Sequence, residues 1–150
     1  ENLYYCFIVR PYFRNVPKSL RKQPKIYLWD WSMAQDKGAL NENFIASHLL
    51  KAVHFWTDSG LGEYELFYLR DKLKREVDFL ITKNAKPWFL VEVKSSDNKK
   101  ISPALEYYSK LLNVNNSFQV NIKTPFIEQD CFSIKKPVIV PAATFLSQLV

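Results

Sequence analysis

The chain has 150 residues, of which 47% are apolar and 24% charged, and its formal net charge is +6. This length suits one domain with a sizeable core, and no apolar run approaches the roughly eighteen residues of a membrane span. Two isolated cysteines, Cys6 and Cys131, form neither a disulfide framework nor a zinc-ligand spacing, which predicts a reducing, cytoplasmic setting.

The first segment predicts two strands, residues 3–10 and 25–29, joined by a basic, proline-rich loop. This hairpin resembles the wing of a winged-helix domain, whose basic side chains can follow phosphates through salt-dependent contacts. A solvated loop and a docking surface for another module remain open alternatives. The basic residues of the loop that we predict to bind nucleic acid are Arg14, Lys18, Arg21 and Lys22.

Residues 38–56 predict an amphipathic helix, because apolar residues recur at spacings of three and four. Glu42 extends this stripe backwards by three positions. An acid on the buried stripe of a helix needs a partner or a metal, although an acid near a helix start is also favoured by the macrodipole. The stripe consists of Ile45, Leu49, Ala52 and Trp56.

Residues 63–69 predict a strand, which a basic turn connects to the next strand. Because this turn lies close in sequence to the acids described below, we predict that Lys72, Lys74 and Arg75 contact a nucleic-acid backbone. Turns are often charged, so an ordinary solvated turn is the alternative.

Residues 76–82 and 88–93 predict two strands of a hairpin, rich in Val, Phe, Leu and Ile. The polar stretch 83–87 between them is a turn, in which Pro87 suits a strand start or an edge. Near-continuous apolar runs indicate strands that are covered on both faces.

Charged residues at the ends of these strands form the candidate site. Because side chains alternate along a strand, Glu92 and Lys94 are predicted to share a face with Leu90 and Trp88. Asp78 meets them from the neighbouring strand if the register allows it.

These residue types suit metal-assisted hydrolysis of a phosphodiester. Magnesium prefers carboxylate and water oxygens, which Asp78 and Glu92 would supply, and the metal would neutralise phosphate charge and acidify a bound water. Lys94 would bind the phosphate or orient the attacking water. A chance spacing of common charged residues, with Lys94 as a solvated strand end, is the alternative.

The next elements predict a mixed sheet. Residues 102–112 form a helix with Ser102 as N-cap and Pro103 in its first turn. Residues 117–122 form a strand that pairs in parallel after this helical crossover.

Asp78, followed by Glu92-Val93-Lys94, resembles the metal-binding signature of the PD-(D/E)xK superfamily, with Val77 in place of the motif's proline. The resemblance implies an α/β fold of the restriction-endonuclease-like kind, with a mixed β-sheet flanked by helices. It also implies that Glu42 is a third acidic, metal-binding residue of the site.

A broader resemblance covers nearly the whole chain. The segments 25–32, 40–44, 75–96 and 138–149 occur in the order found in the uncharacterised C-terminal domain of a group of prokaryotic AAA-type ATPases. The resemblance implies an upstream ATPase module and a winged-helix element. No G-x-x-x-x-G-K-[ST] phosphate loop occurs in this sequence. We therefore expect residues 1–32 to be a wing remnant and linker, and 33–150 the nuclease-like domain.

Two functions follow from these observations as expectations. The first is magnesium-dependent hydrolysis of DNA by Asp78, Glu92, Lys94 and Glu42. The second is a catalytically inactive, nuclease-derived module that binds nucleic acid or a protein partner for the ATPase.

Overall fold

The computed structural model of the chain describes residues 4–14, 23–95, 97 and 99–150. Within them, seven strands form one sheet that three α-helices flank. The strands are Cys6–Pro11 (β1), Lys25–Leu28 (β2), Tyr64–Arg70 (β3), Glu76–Lys83 (β4), Lys86–Lys94 (β5), Asn116–Asn121 (β6) and Pro137–Pro141 (β7). The helices are Lys37–Asp58 (α1), Pro103–Leu111 (α2) and Ala142–Leu146 (α3). None of the described helices is long and apolar enough to cross a bilayer.

The sheet is mixed, with strand order β2-β1-β3-β4-β5-β6-β7. From β3 to β5 the strands are antiparallel neighbours, while β5, β6 and β7 run parallel. The helix α2 makes the crossover between β5 and β6 that parallel pairing requires. The predicted α/β class, with a mixed sheet between helices, is confirmed.

Apolar side chains form two buried clusters, one on each side of the sheet. Residues of α1 and α3 pack in the first cluster, and residues of α2 pack in the second. Leu80 and Ile81, adjacent on β4, belong to different clusters, as alternation along a strand requires. The strands in the middle of the sheet are therefore covered on both faces, which explains their near-continuous apolar sequences.

The helix α1 begins where Asp36 caps it, the carboxylate accepting a 2.9 Å hydrogen bond from the backbone N–H of Ala39. It ends before Gly60, whose φ of +76° lies in the left-handed region that favours glycine. The predicted apolar stripe is buried along its whole length, and Glu42 is half-buried at its beginning.

The hairpin of β4 and β5 forms as predicted, but its register shifts between Ile81 and Thr82. Because of this shift, Trp88 packs in the cluster around α1 while Leu90 packs in the cluster around α2. The prediction that these two side chains share a face was therefore wrong. A bulge adds a residue to one strand and reverses the alternation beyond it.

The predicted N-terminal hairpin is also present, since β1 and β2 pair antiparallel from Cys6 with Leu28. The same β1 pairs in parallel with β3 through Arg10 and Pro11, and Tyr27 is buried in the cluster around α1. The hairpin thus shares a sheet and a core with the rest of the domain. Its origin as a winged-helix wing, and a boundary after residue 32, stay predictions.

Candidate functional site

Asp78 lies on β4 where this strand runs beside the end of β5. The backbone N–H of Val93 donates a 2.8 Å hydrogen bond to Asp78 Oδ2, so the carboxylate is held against β5. A second shift of register lies at this point, between β3 and β4. Phe67 pairs with Leu80 and Leu69 with Val77, so Asp78 and Phe79 on β4 together lie opposite one residue of β3, as in a β-bulge.

Glu92 and Lys94 lie two residues apart on β5, and their side chains meet as predicted. Lys94 Nζ is 2.8 Å from Glu92 Oε1. The residue Glu92 is only 7% exposed, and its second oxygen, Oε2, is buried with no hydrogen-bond partner among the described residues. A buried carboxylate oxygen without a partner is costly and calls for an explanation.

Glu42, on the first turns of α1, is bound by two donors from β2. Lys25 Nζ lies 2.9 Å from Glu42 Oε1, and the Tyr27 hydroxyl donates to the same oxygen at 2.5 Å. Lys25 Nζ also lies 2.6 Å from an oxygen of Glu76, which a salt bridge of 3.2 Å joins to Arg70. Glu42 is thus drawn into an ion-pair chain that joins β2 to β4.

The pKa values of the acidic residues are shifted by burial and by the acids nearby. Burial, with repulsion from Glu92 and Glu42, raises the pKa of Asp78 to about 8, against opposition from the Val93 N–H and Lys25. Burial raises the pKa of Glu92 as well, although Lys94 and the backbone N–H of Asp78 oppose the shift. Asp78 therefore responds to both other predicted acids, which places the three in one electrostatic neighbourhood.

The carboxylate oxygens of these residues are the ligand type that a hard divalent cation prefers. Among the described residues, no three acidic, histidine or cysteine side chains form a ready metal centre. Magnesium, however, is usually held by one or two carboxylates and keeps several waters. The half-buried Asp78 and the buried Glu92 supply two carboxyl groups that repel each other, and Glu92 Oε2 accepts no hydrogen bond from the described residues. These two residues fit such an ion, while Glu42 is already engaged.

The predicted nucleic-acid contacts are dispersed. Arg14 is exposed beyond β1, and Lys72 and Lys74 are exposed in the turn before β4. Arg75 is engaged instead within the protein, 2.7 Å from Asp71 and 3.6 Å over the ring of Tyr107. The remaining predicted residues, Lys18, Arg21 and Lys22, lie outside the described part of the chain.

Three site residues were missed by reasoning from sequence: Lys25, Tyr27 and Glu76. Lys25 and Tyr27 are two apart on β2, and Glu76 is two before Asp78 on β4. Because residues two apart on a strand share a face, the sequence could have predicted that Lys25 lies beside Tyr27 and that Glu76 lies beside Asp78. No local pattern, however, shows that β2 lies beside the beginning of α1.

The family model described as "Domain of unknown function (DUF4143)" matches residues 37–134, more than half of the chain. The chain belongs to this family. It is an uncharacterised domain family often found in AAA-ATPase-associated proteins. The matched region contains all four predicted catalytic residues, whereas Lys25 and Tyr27 precede it. No curated protein and no solved structure matches the chain.

Proposed function

We propose that this domain binds a divalent cation, Mg²⁺ by preference, through Asp78 and Glu92 and hydrolyses phosphodiester bonds of DNA. The observation that carries the proposal is the buried oxygen of Glu92, which has no hydrogen-bond partner among the described residues, beside Asp78, whose pKa is raised by burial and by repulsion from Glu92 and Glu42. Two partly or fully buried acids that repel each other are stabilised by a cation between them.

Each residue has a role that its contacts support. The N–H of Val93 fixes the carboxylate of Asp78, and Lys94 holds one oxygen of Glu92, so the other oxygen is left to a ligand. A bound Mg²⁺ would neutralise phosphate charge and lower the pKa of a coordinated water. Lys94, one third exposed, is placed to exchange its bond with Glu92 for a phosphate oxygen or a water.

DNA is the proposed substrate because positive charge lies near the site. Lys72 and Lys74 are exposed in the turn that leads into β4, the strand of Asp78, and the chain has a net charge of +6. Such side chains bind the phosphate backbone without sequence preference. An ATPase module in the same longer protein is the proposed partner, since the family is often found in AAA-ATPase-associated proteins.

The test is cleavage of supercoiled, linear and single-stranded DNA with Mg²⁺, with Mn²⁺ and with a chelator. We expect cleavage that requires the metal, and a fall of about 100-fold or more in rate for Asp78→Asn, Glu92→Gln or Lys94→Met, the scale of a lost catalytic group. The exposed residues Glu63 and Lys86 provide matched controls, Glu63→Gln and Lys86→Met. Cleavage that persists in Glu92→Gln and Lys94→Met would place the activity elsewhere.

A catalytically inactive module that binds nucleic acid or a protein partner is the second candidate. The observation in its favour is that Glu42 is neutralised by Lys25 and Tyr27, and no three-ligand centre exists among the described residues. Salt-dependent DNA binding without cleavage in any metal supports this candidate. If DNA does not bind even at low salt, the protein-partner version remains.

A further inference from the structure

We infer that Lys25 and Tyr27 act as a latch on Glu42, holding this acid out of the metal site until Lys25 is displaced. Lys25 is then a positioning residue that competes with a divalent cation for the third carboxylate. The inference rests on the metal-binding part of the proposed function and adds to it a control built into β2.

The geometry of Lys25 indicates a counter-ion that bridges two elements. Its Nζ lies 2.9 Å from Glu42 on α1 and 2.6 Å from Glu76 on β4. The three side chains are only 24–27% exposed, so their attraction is screened less than on an open surface. Burial lowers the pKa of Lys25, but Glu42, Glu76 and Asp78 outweigh it and raise this pKa, so the side chain is charged.

Tyr27 adds a second donor to the same carboxylate oxygen, Glu42 Oε1. The ring of Tyr27 is held between Phe7, 5.6 Å away, and Phe79, 5.7 Å away. These ring contacts restrict the rotation of the Tyr27 side chain and so fix the direction of its hydroxyl group. With two donors converging on one oxygen, the orientation of Glu42 is fixed and that oxygen is less available to a cation.

The latch and the metal site are connected along β4. Glu76, which lies 2.6 Å from Lys25 Nζ, is two residues before Asp78 on this strand. Removing the charge of Lys25 would leave Glu42 and Glu76 half-buried without this partner and would make the site more negative. A divalent cation is the natural replacement for that lost charge, so affinity for the cation should rise as the metal-free protein loses stability.

The experiment is calorimetric titration of Mg²⁺ and Mn²⁺ into the whole protein, with thermal unfolding measured with and without metal. The variants are Lys25→Met, Lys25→Arg and Tyr27→Phe. Arg70→Met is the matched control, because it removes a nearby positive charge that pairs with Glu76 and not with Glu42. For Lys25→Met we expect a lower metal-free Tm, a larger metal-induced rise in Tm, and metal affinity about tenfold higher, which is about 1.4 kcal/mol of binding free energy.

Lys25→Arg should restore the behaviour of the native protein, Tyr27→Phe should shift affinity in the same direction by less, and Arg70→Met should leave affinity unchanged. Metal binding to Lys25→Met that is weaker than, or equal to, binding to the native protein would overturn the latch. The absence of metal binding to both proteins would overturn it as well. Binding to Lys25→Met alone would support it. None of these readouts depends on DNA cleavage, so a native protein that binds metal without cutting DNA would contradict the proposed function and leave the latch standing.

Discussion

The two ends of β5 differ in the interactions that their side chains make. At the amino end, Trp88 and Phe89 lie 4.9 Å apart in a cluster of rings, with Phe132 5.4 Å from Phe89. At the carboxyl end, Glu92 is buried with one unpartnered oxygen beside the perturbed carboxyl group of Asp78. The amino end of the strand packs rings in the core. The carboxyl end instead buries acidic groups at a cost in stability, an arrangement that is common in functional sites.

The surface groove and the acidic residues lie at opposite ends of this strand. A groove of about 710 Å³ lies at the aromatic end, where Trp56, Trp88 and Phe132 line it. None of the four predicted catalytic residues lines this groove. The acids with raised pKa values, Asp78 and Glu92, lie instead near the carboxyl end of β5.

The largest expected effect is on the packed end. Phe89→Ala should lower the free energy of unfolding in urea by about 3–5 kcal/mol, because a fully buried ring loses its contacts and leaves a cavity. Glu92→Gln removes a charge that burial disfavours and leaves Lys94 one third exposed to water. It should therefore change the free energy of unfolding by less than about 1 kcal/mol or raise it. A comparable loss in both variants would abolish the distinction between the two ends.

The acidic end should respond to pH where the aromatic end does not. Since the pKa of Asp78 is raised from 3.8 to about 8, the folded chain keeps a proton that the unfolded chain releases. Its stabilising contribution is complete below pH 3.8 and is lost as the pH rises towards about 8, by at most about 1.4 kcal/mol for each pH unit.

Urea unfolding with a chelator between pH 5 and 8 measures this slope. Asp78→Asn should flatten it, with Glu92 contributing the residual slope in the same direction. Stability that rises with pH in the native protein would show that Asp78 is ionised and well paired. Phe89→Ala should keep the native slope at a lower overall stability.

The smallest effect concerns the helix start that carries Glu42. Asp36→Ala removes the cap of α1 and should cost about 1 kcal/mol, with faster hydrogen exchange at the Ala39 N–H. Asp58→Ala, at the opposite end of the same helix, is the control and should be neutral or slightly stabilising, because an acid there opposes the macrodipole. Equal losses from both ends would mean that Asp36 does not define the helix start.

Local patterns predicted much of this architecture. The stripe of α1 repeats with the period of a helix, and it predicted a helix over residues 38–56 within the observed Lys37–Asp58. The pairing of Lys94 with Glu92 follows from alternation over two residues. Trp88 escaped the same reasoning because a register shift, which depends on the partner strand, reversed its direction.

By itself, the sequence determined the α/β alternation, the hairpin of β4 and β5, and the presence of acids at their ends, because each depends on neighbours close in the chain. Only the tertiary structure decided which charges meet. Lys25 and Glu42 are 17 residues apart, and β1 joins β3 in parallel across the whole of α1. When helices and strands pack, charged side chains lose contact with water and must find partners on other elements. A pattern of neighbouring residues does not predict which partners these are.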